Sequence, residues 1–256
     1  MVLHALNFKI KAMQKKYLGS FLILLAFSAS LILSCNKEIE DYIPKELVNP
    51  NDASLRVVNT ATLPNKIHFY LNNVKYSGDT LAFPGTFPTS EFLRVPSGAS
   101  TFRANVPVTS TDVLSANLTL GAGTFNTLFL IDTLPALDYY LVTDNQLVPP
   151  ADSGKTAIRF VHVAKGVGPL NVANATVATA VDTLFRNVTY KSHTDFKVVN
   201  SGATQVFRVY NTGTSTQVYN SLTLSLTANR MYTLYIRGRS TGYGTHIPTL
   251  TSLVTR

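Results

Sequence analysis

Four histidines follow the N-terminal apolar run, His68, His162, His193 and His246, and none belongs to a His-x-His or His-x-x-x-His pair. Metal chelation by this set would require ligands gathered from separate strands, so no metal is expected. Glycoside hydrolysis needs two carboxyl groups facing one cleft, and beyond Glu46 the chain has a single glutamate, Glu91. Most aspartates stand beside turn residues, where a carboxylate capping its own backbone accounts for them. The chain has neither an Asp-x-Asp calcium loop nor a Gly-x-Ser-x-Gly nucleophile elbow. Gly121-Ala122-Gly123 lacks the lysine and the following helix of a phosphate-cradling loop and reads as a hairpin turn. No catalytic residue and no cofactor is expected, and the chain reads as a non-enzyme.

Binding chemistry has more to draw on. Tyr139, Tyr140 and Tyr243 offer rings on which a sugar can stack, although the sequence has no tryptophan, the usual platform. Asp79-Thr80-Leu81, Asp132-Thr133-Leu134 and Asp182-Thr183-Leu184 resemble the Asp-Thr-aliphatic acceptor of Bacteroidota O-glycosylation, with Thr80, Thr133 and Thr183 as acceptors. A structural turn explains these tripeptides equally well. Cys35 is the only cysteine, so the monomer has neither a disulfide nor a cysteine-based zinc site.

Position gives Cys35 its chemistry. Lys9, Lys11, Lys15 and Lys16 precede a 16-residue apolar run, Leu18 to Leu33, which is short for a bilayer span and is interrupted by Gly19, Ser20, Ser28 and Ser30. Residues 1–34 therefore read as a signal peptide. Its end, Leu31-Ile32-Leu33-Ser34-Cys35, resembles a bacterial lipobox, which implies acylation of the Cys35 thiol and a membrane partner reached through a lipid anchor. Residue 36 is Asn, not the Asp of inner-membrane retention, which points to the outer membrane. Lys37, Glu38, Glu40 and Asp41 resemble the lysine-plus-acidic signal that sends Bacteroidota lipoproteins to the cell surface. An ordinary solvated tether on the periplasmic face is the other reading. Either Met1 or Met13 serves as the start.

The formal charge of +8 weakens on inspection. Without the four lysines of the signal, 18 basic side chains stand against 14 acidic ones, a net +4, with no basic cluster or aromatic-interleaved stripe. A nucleic-acid partner is excluded on that ground.

An internal repeat organises the rest. Ser54-Leu-Arg-Val-Val-Asn-Thr-Ala61 matches Ala157-Ile-Arg-Phe-Val-His-Val-Ala164, Glu91-Phe92 matches Asp195-Phe196, and Ser97-Gly98-Ala99 matches Ser201-Gly202-Ala203. Phe102-Arg103 matches Phe207-Arg208, Leu118-Thr119-Leu120 matches Leu224-Ser225-Leu226, Thr127-Leu128 matches Thr233-Leu234, and Leu141-Val142-Thr143 matches Leu253-Val254-Thr255. Segments of alternating apolar and polar residues predict strands near 54–60, 66–72, 90–95, 99–106, 112–120, 124–131 and 138–143, with the set repeated after Lys155. About seven strands in roughly 95 residues is the pattern of an immunoglobulin-like sandwich. The expected fold is all-β: two tandem antiparallel sandwiches, residues 54–144 and 156–256, behind a tether at 35–53 and joined by a Pro-containing linker at 145–155. Each sandwich is expected to fold as a unit, with coupling through an interface between them left open.

Both copies resemble the domain of unknown function 4397, found in tandem in bacterial exported and surface proteins. The resemblance rests on Leu55-Arg-Val-Val-Asn-Thr-Ala61, Phe92-Leu-Arg-Val-Pro-Ser-Gly98, Leu118-Thr-Leu-Gly-Ala-Gly123 and Gly154-Lys155-Thr-Ala-Ile-Arg159, and it spans nearly all of residues 54–256. The second copy departs at Asn200, where the first has Pro96, and at Thr227-Ala228-Asn229, where the first has Gly121-Ala122-Gly123. The family implies no catalytic residues. The expected function is a non-enzymatic outer-membrane or cell-surface lipoprotein, a spacer or adhesion-like interaction module whose partner is a surface protein or a glycan. The alternative is a polysaccharide-binding component of a nutrient-uptake system.

Overall fold

The computed structural model describes residues 51–62, 66–135, 137–177, 181–215 and 217–256, all within one compact unit. Cys35, Lys37, Glu38, Glu40 and Asp41 lie outside the described residues. The protein is all-β. The first copy holds β1 (Ala53–Asn59), β2 (His68–Leu71), β3 (Val74–Lys75), β4 (Gly85–Phe87), β5 (Leu93–Val95), β6 (Gly98–Val106), β7 (Thr111–Leu120), β8 (Phe125–Ile131) and β9 (Asp138–Asp144). The second holds β10 (Lys155–His162), β11 (Leu170–Asn174), β12 (Asp182–Val188), β13 (Ser192–His193), β14 (Lys197–Asn200), β15 (Gly202–Asn211), β16 (Gln217–Leu226), β17 (Met231–Arg237) and β18 (Thr249–Val254).

Each copy has two sheets. In the first, an inner sheet of order β4-β1-β8-β9, with β5 also on β1, faces an outer sheet of order β3-β2-β6-β7. In the second, β13-β10-β17-β18, with β14 on β10, faces β12-β11-β15-β16. Leu55, Val57, Leu128 and Leu130 of the first inner sheet pack on Phe69, Phe102 and Leu118 of its outer sheet. Ile158, Phe160, Leu234 and Ile236 pack on Val172, Phe207 and Val209 in the same way. Ladders are antiparallel except one in each copy: β1 runs parallel to β8, and β10 parallel to β17. Arg56 lies opposite Thr127 in the first of these and Arg159 opposite Thr233 in the second, so the repeat is equivalent in register as well as in sequence.

The remaining faces of the two inner sheets pack against each other. Val58, Phe129, Ile131 and Val142 of the first copy form one cluster with Val161, Val163 and Tyr235 of the second. The layers therefore run outer, inner, inner, outer. All seven residues of β1 are buried because the strand has a core on both faces. Alternation of apolar with polar residues suggests a solvated outer face, and here the polar members, Arg56, Asn59, Arg159 and His162, are buried too.

Three local features differ from the sequence expectation. Gly121–Gly123 does not close a hairpin: β7 and β8 belong to different sheets, and the turn carries the chain from outer to inner sheet. Gly123 takes φ +70° and donates to the Asp52 carbonyl (3.0 Å), while its counterpart Asn229 takes φ +58° and donates to Lys155 (2.8 Å). Asparagine tolerates that left-handed conformation, which preserves the turn without glycine. Next, the last strands align one position away from the sequence match. Thr127 pairs with Val142 but Thr233 pairs with Leu253, which makes Thr255 the counterpart of Asp144. Finally, the linker is pinned: Leu147 is buried with Ala157 and Met231, and Asn229 Nδ2 donates to the Pro150 carbonyl at 2.7 Å.

Candidate functional site

The seam between the inner sheets holds the protein's buried charge. Arg56 is fully buried, with Nε donating to the Glu91 carbonyl (3.2 Å), Nη2 to Ser90 (2.8 Å) and Nη1 across the seam to Val254 (2.7 Å). Its counterpart Arg159 donates from Nη1 across the seam to the Asp144 carboxylate at 2.8 Å and from Nε to the Thr233 hydroxyl at 2.9 Å. Each guanidinium lies over the equivalent phenylalanine, Arg56 over Phe92 at 4.2 Å and Arg159 over Phe196 at 4.5 Å. Burial pushes both guanidinium pKa values down, that of Arg56 to about 10, with Glu91 working against the shift and Arg159 adding to it. Arg56 stays charged at neutral pH, and for Arg159 the Asp144 carboxylate opposes the effect of burial.

Further ion pairs cross from first-copy acid to second-copy base. Asp132 meets Lys165 at 2.6 Å, and Asp138 meets Lys191. For Asp138, partial burial opposes ionisation, but the Lys191 ammonium and the Tyr139 N–H outweigh it and lower its pKa. At the centre, Phe129 and Tyr235, equivalent residues of the two copies, pack with ring centroids 5.5 Å apart and planes tilted by 58°.

The starts of β1 and β8 lie beside the start of β17 and their ends beside its end, so the seam has a starting end and a finishing end. A cleft of about 400 Å³ opens at the starting end, lined by Glu91, Phe92, Arg94 and Phe125 of the first copy and Arg230 and Arg256 of the second. At the finishing end a cleft of about 270 Å³ lies between Thr62 and Thr133 of the first copy and the Arg239–His246 loop of the second. There the Phe83 ring meets His246 at 4.8 Å and the Arg237 guanidinium at 5.0 Å. Tyr243 stands beside them with 83% of its surface exposed.

Of the residues singled out in the sequence, Thr133, Tyr243 and His246 come together at the finishing-end cleft and Tyr140 meets His193, while the others lie apart. His68 bonds Ser77 Oγ at 3.2 Å, His162 Nε2 meets the Gly168 carbonyl at 3.1 Å, and His193 Nδ1 meets the Tyr140 hydroxyl at 2.7 Å. No three His, Cys, Asp or Glu side chains among the described residues come together in a metal-binding group. Tyr140 is spent on His193, Tyr139 is half-buried in β9, and of the three candidate platforms only Tyr243 is open. Thr80 follows a turn in which its N–H donates to Asp79 at 2.6 Å, Thr133 donates its hydroxyl to the Thr62 carbonyl at 3.0 Å, and Thr183 lies within β12. Sequence reasoning missed Arg94, Arg230 and Arg256. They stand up to 162 positions apart in the chain, and what would have flagged them is the repeat, which places Val198, Thr124 and Asn145 at the equivalent positions.

Residues 53–173, the first copy and the opening of the second, match the model of the family described as "Domain of unknown function (DUF4397)". No curated protein matches the chain. Among solved structures, the carbohydrate-binding module CBMbc (family CBM26) of Eubacterium rectale Amy13K, in complex with maltoheptaose, aligns at 16% identity and a TM-score of 0.26. That alignment covers 79% of this chain and 97% of the other.

Proposed function

We propose that this protein is a non-catalytic contact module, acylated at Cys35, anchored in the outer membrane and facing the outside of the cell. The observation that carries the reading is how the charged groups along the seam are used. Arg56, Arg159, Asp132, Asp138 and Asp144 are committed to joining the two copies, which leaves surfaces at both ends of the seam for contact. A lipid anchor on a block of four packed layers suits reach and adhesion-like contact. Lys37, Glu38, Glu40 and Asp41 provide the surface signal.

A second reading, polysaccharide binding for nutrient uptake, is favoured by one feature, the exposed Tyr243 ring over the finishing-end cleft with the Thr62, Thr133 and Thr241 hydroxyls beside it. An aromatic face with neighbouring hydroxyls is the chemistry that stacks and orients a sugar ring. Depletion of the protein on immobilised glycans separates this reading from the first.

Protease shaving of intact cells tests the location. Wild type is expected to be cut, while a variant with Lys37, Glu38, Glu40 and Asp41 all changed to Ala is expected to be protected. Complete protection of the wild type would place the protein in the periplasm and end the surface reading.

A further inference from the structure

We propose that the starting-end cleft is a binding site for the carboxylate of an acidic saccharide. The argument begins with two equivalent guanidiniums in unequal surroundings. Arg159 receives a carboxylate across the seam, Asp144 at 2.8 Å. Arg56 receives only carbonyl oxygens, those of Ser90, Glu91 and Val254. By ladder register the counterpart of Asp144 is Thr255, whose hydroxyl is already engaged with Thr233 at 2.7 Å, and the next residue is a cation, Arg256. The carboxylate that completes one half of the seam is therefore missing from the other.

Cations gather where that carboxylate is missing. Arg94, Arg230 and Arg256 line the cleft above Arg56, and among the described residues none of the three is in an ion pair. Their counterparts across the repeat carry no positive charge: Arg94, opposite Ser54, corresponds to Val198, opposite Ala157. Among the lining side chains one carboxylate, Glu91, stands against the three guanidiniums and offsets part of their charge over the buried Arg56. Planar guanidiniums bind carboxylates by paired, charge-assisted hydrogen bonds.

The rest of the lining selects the bearer of that carboxylate. Phe92 and Phe125 give an apolar wall, their rings edge to face at 5.4 Å, against which the face of a sugar ring can lie. The volume of about 400 Å³ lies within the range of small-ligand sites. This site is separate from the Tyr243 cleft and does not depend on which side of the membrane the protein faces.

Titration calorimetry of the detergent-solubilised full-length protein with oligogalacturonate tests the proposal, with methyl-esterified oligogalacturonate and polyglutamate as comparisons. Wild type is expected to bind the free acid, to weaken as salt rises, and to ignore the methyl ester. Arg94→Gln combined with Arg230→Gln alters exposed side chains only and is expected to weaken binding by about tenfold or more. Arg256→Asp supplies an acid beside Arg56 and is expected to abolish binding while raising the melting temperature. Absence of free-acid binding, equal binding of the methyl ester, or unchanged affinity in both variants would overturn the site. Polyglutamate binding as tightly as oligogalacturonate would overturn the assignment to a saccharide.

Discussion

His162 and Asn59 occupy the same place in the two copies, and the comparison shows how far a residue can be read before its surroundings are known. Asn59 is buried with Nδ2 on the Leu81 carbonyl (3.3 Å) and Oδ1 accepting from Ala61 (3.3 Å), a satisfied core amide. His162 is equally buried, and among the described residues its Nδ1 has no partner. Burial holds the imidazole neutral and pushes its pKa below the ordinary value, despite the Gly168 carbonyl. An unfolded histidine takes up its proton as pH falls through about 6.5. Folded His162 does so only at lower pH, so in that window the unfolded state binds more protons and stability falls with pH. We predict that His162→Asn, the residue the first copy already uses, flattens this dependence between about pH 6.5 and the lower folded pKa. Urea midpoints measured across that range check it, and parallel pH profiles for wild type and variant would contradict it. The sequence marks the equivalence of these two residues but not their burial, because alternation is silent about what covers the polar face. The same gap hid the role of Arg56 and Arg159, whose place in an alternating strand suggests solvent.

At the scale of elements, most of the strands were legible because β-branched and aromatic residues alternate between clear turn signals. The predicted 112–120 and 124–131 lie within one residue of β7 and β8. Two strands of each copy were not, β3 and β4 in the first and β12 and β13 in the second. β3 is only Val74–Lys75, and β4, Gly85–Phe87, sits between Pro84 and Pro88, where proline discourages a strand assignment. Parallel pairing of β1 with β8 was also invisible, since alternation fixes which residues share a face and not which strand lies beside them. That pairing puts Phe129 and Tyr235 at the centre of the seam. Phe129→Ala is predicted to destabilise the protein by about 3–5 kcal/mol, the cost of removing a buried aromatic ring and leaving a cavity. In a double-mutant cycle with Tyr235→Ala the pair should show a coupling of about 0.5–1.5 kcal/mol. Strict additivity in chemical denaturation would mean that the two rings do not act together.

At the scale of the molecule, duplication was the clearest message of the sequence, and separate folding of the copies was its natural extension. The packing argues for a different behaviour. A shared cluster around Val58, Phe129, Val161 and Tyr235, a pinned Leu147, and the pairs Asp132–Lys165, Asp138–Lys191 and Asp144–Arg159 all tie one copy to the other. Unfolding one copy alone would expose that apolar face and leave Arg159 or Asp144 without its partner, a loss of several kcal/mol for a buried pair. The copies should therefore unfold together, as befits a block that presents two seam-end clefts at a fixed separation. Differential scanning calorimetry of the detergent-solubilised full-length protein tests this most directly. One transition, with a calorimetric to van't Hoff enthalpy ratio of about 1, is the predicted result. Two resolved transitions, or a single one with a ratio of about 2, would show that the copies unfold independently and that the seam does not hold them as one block.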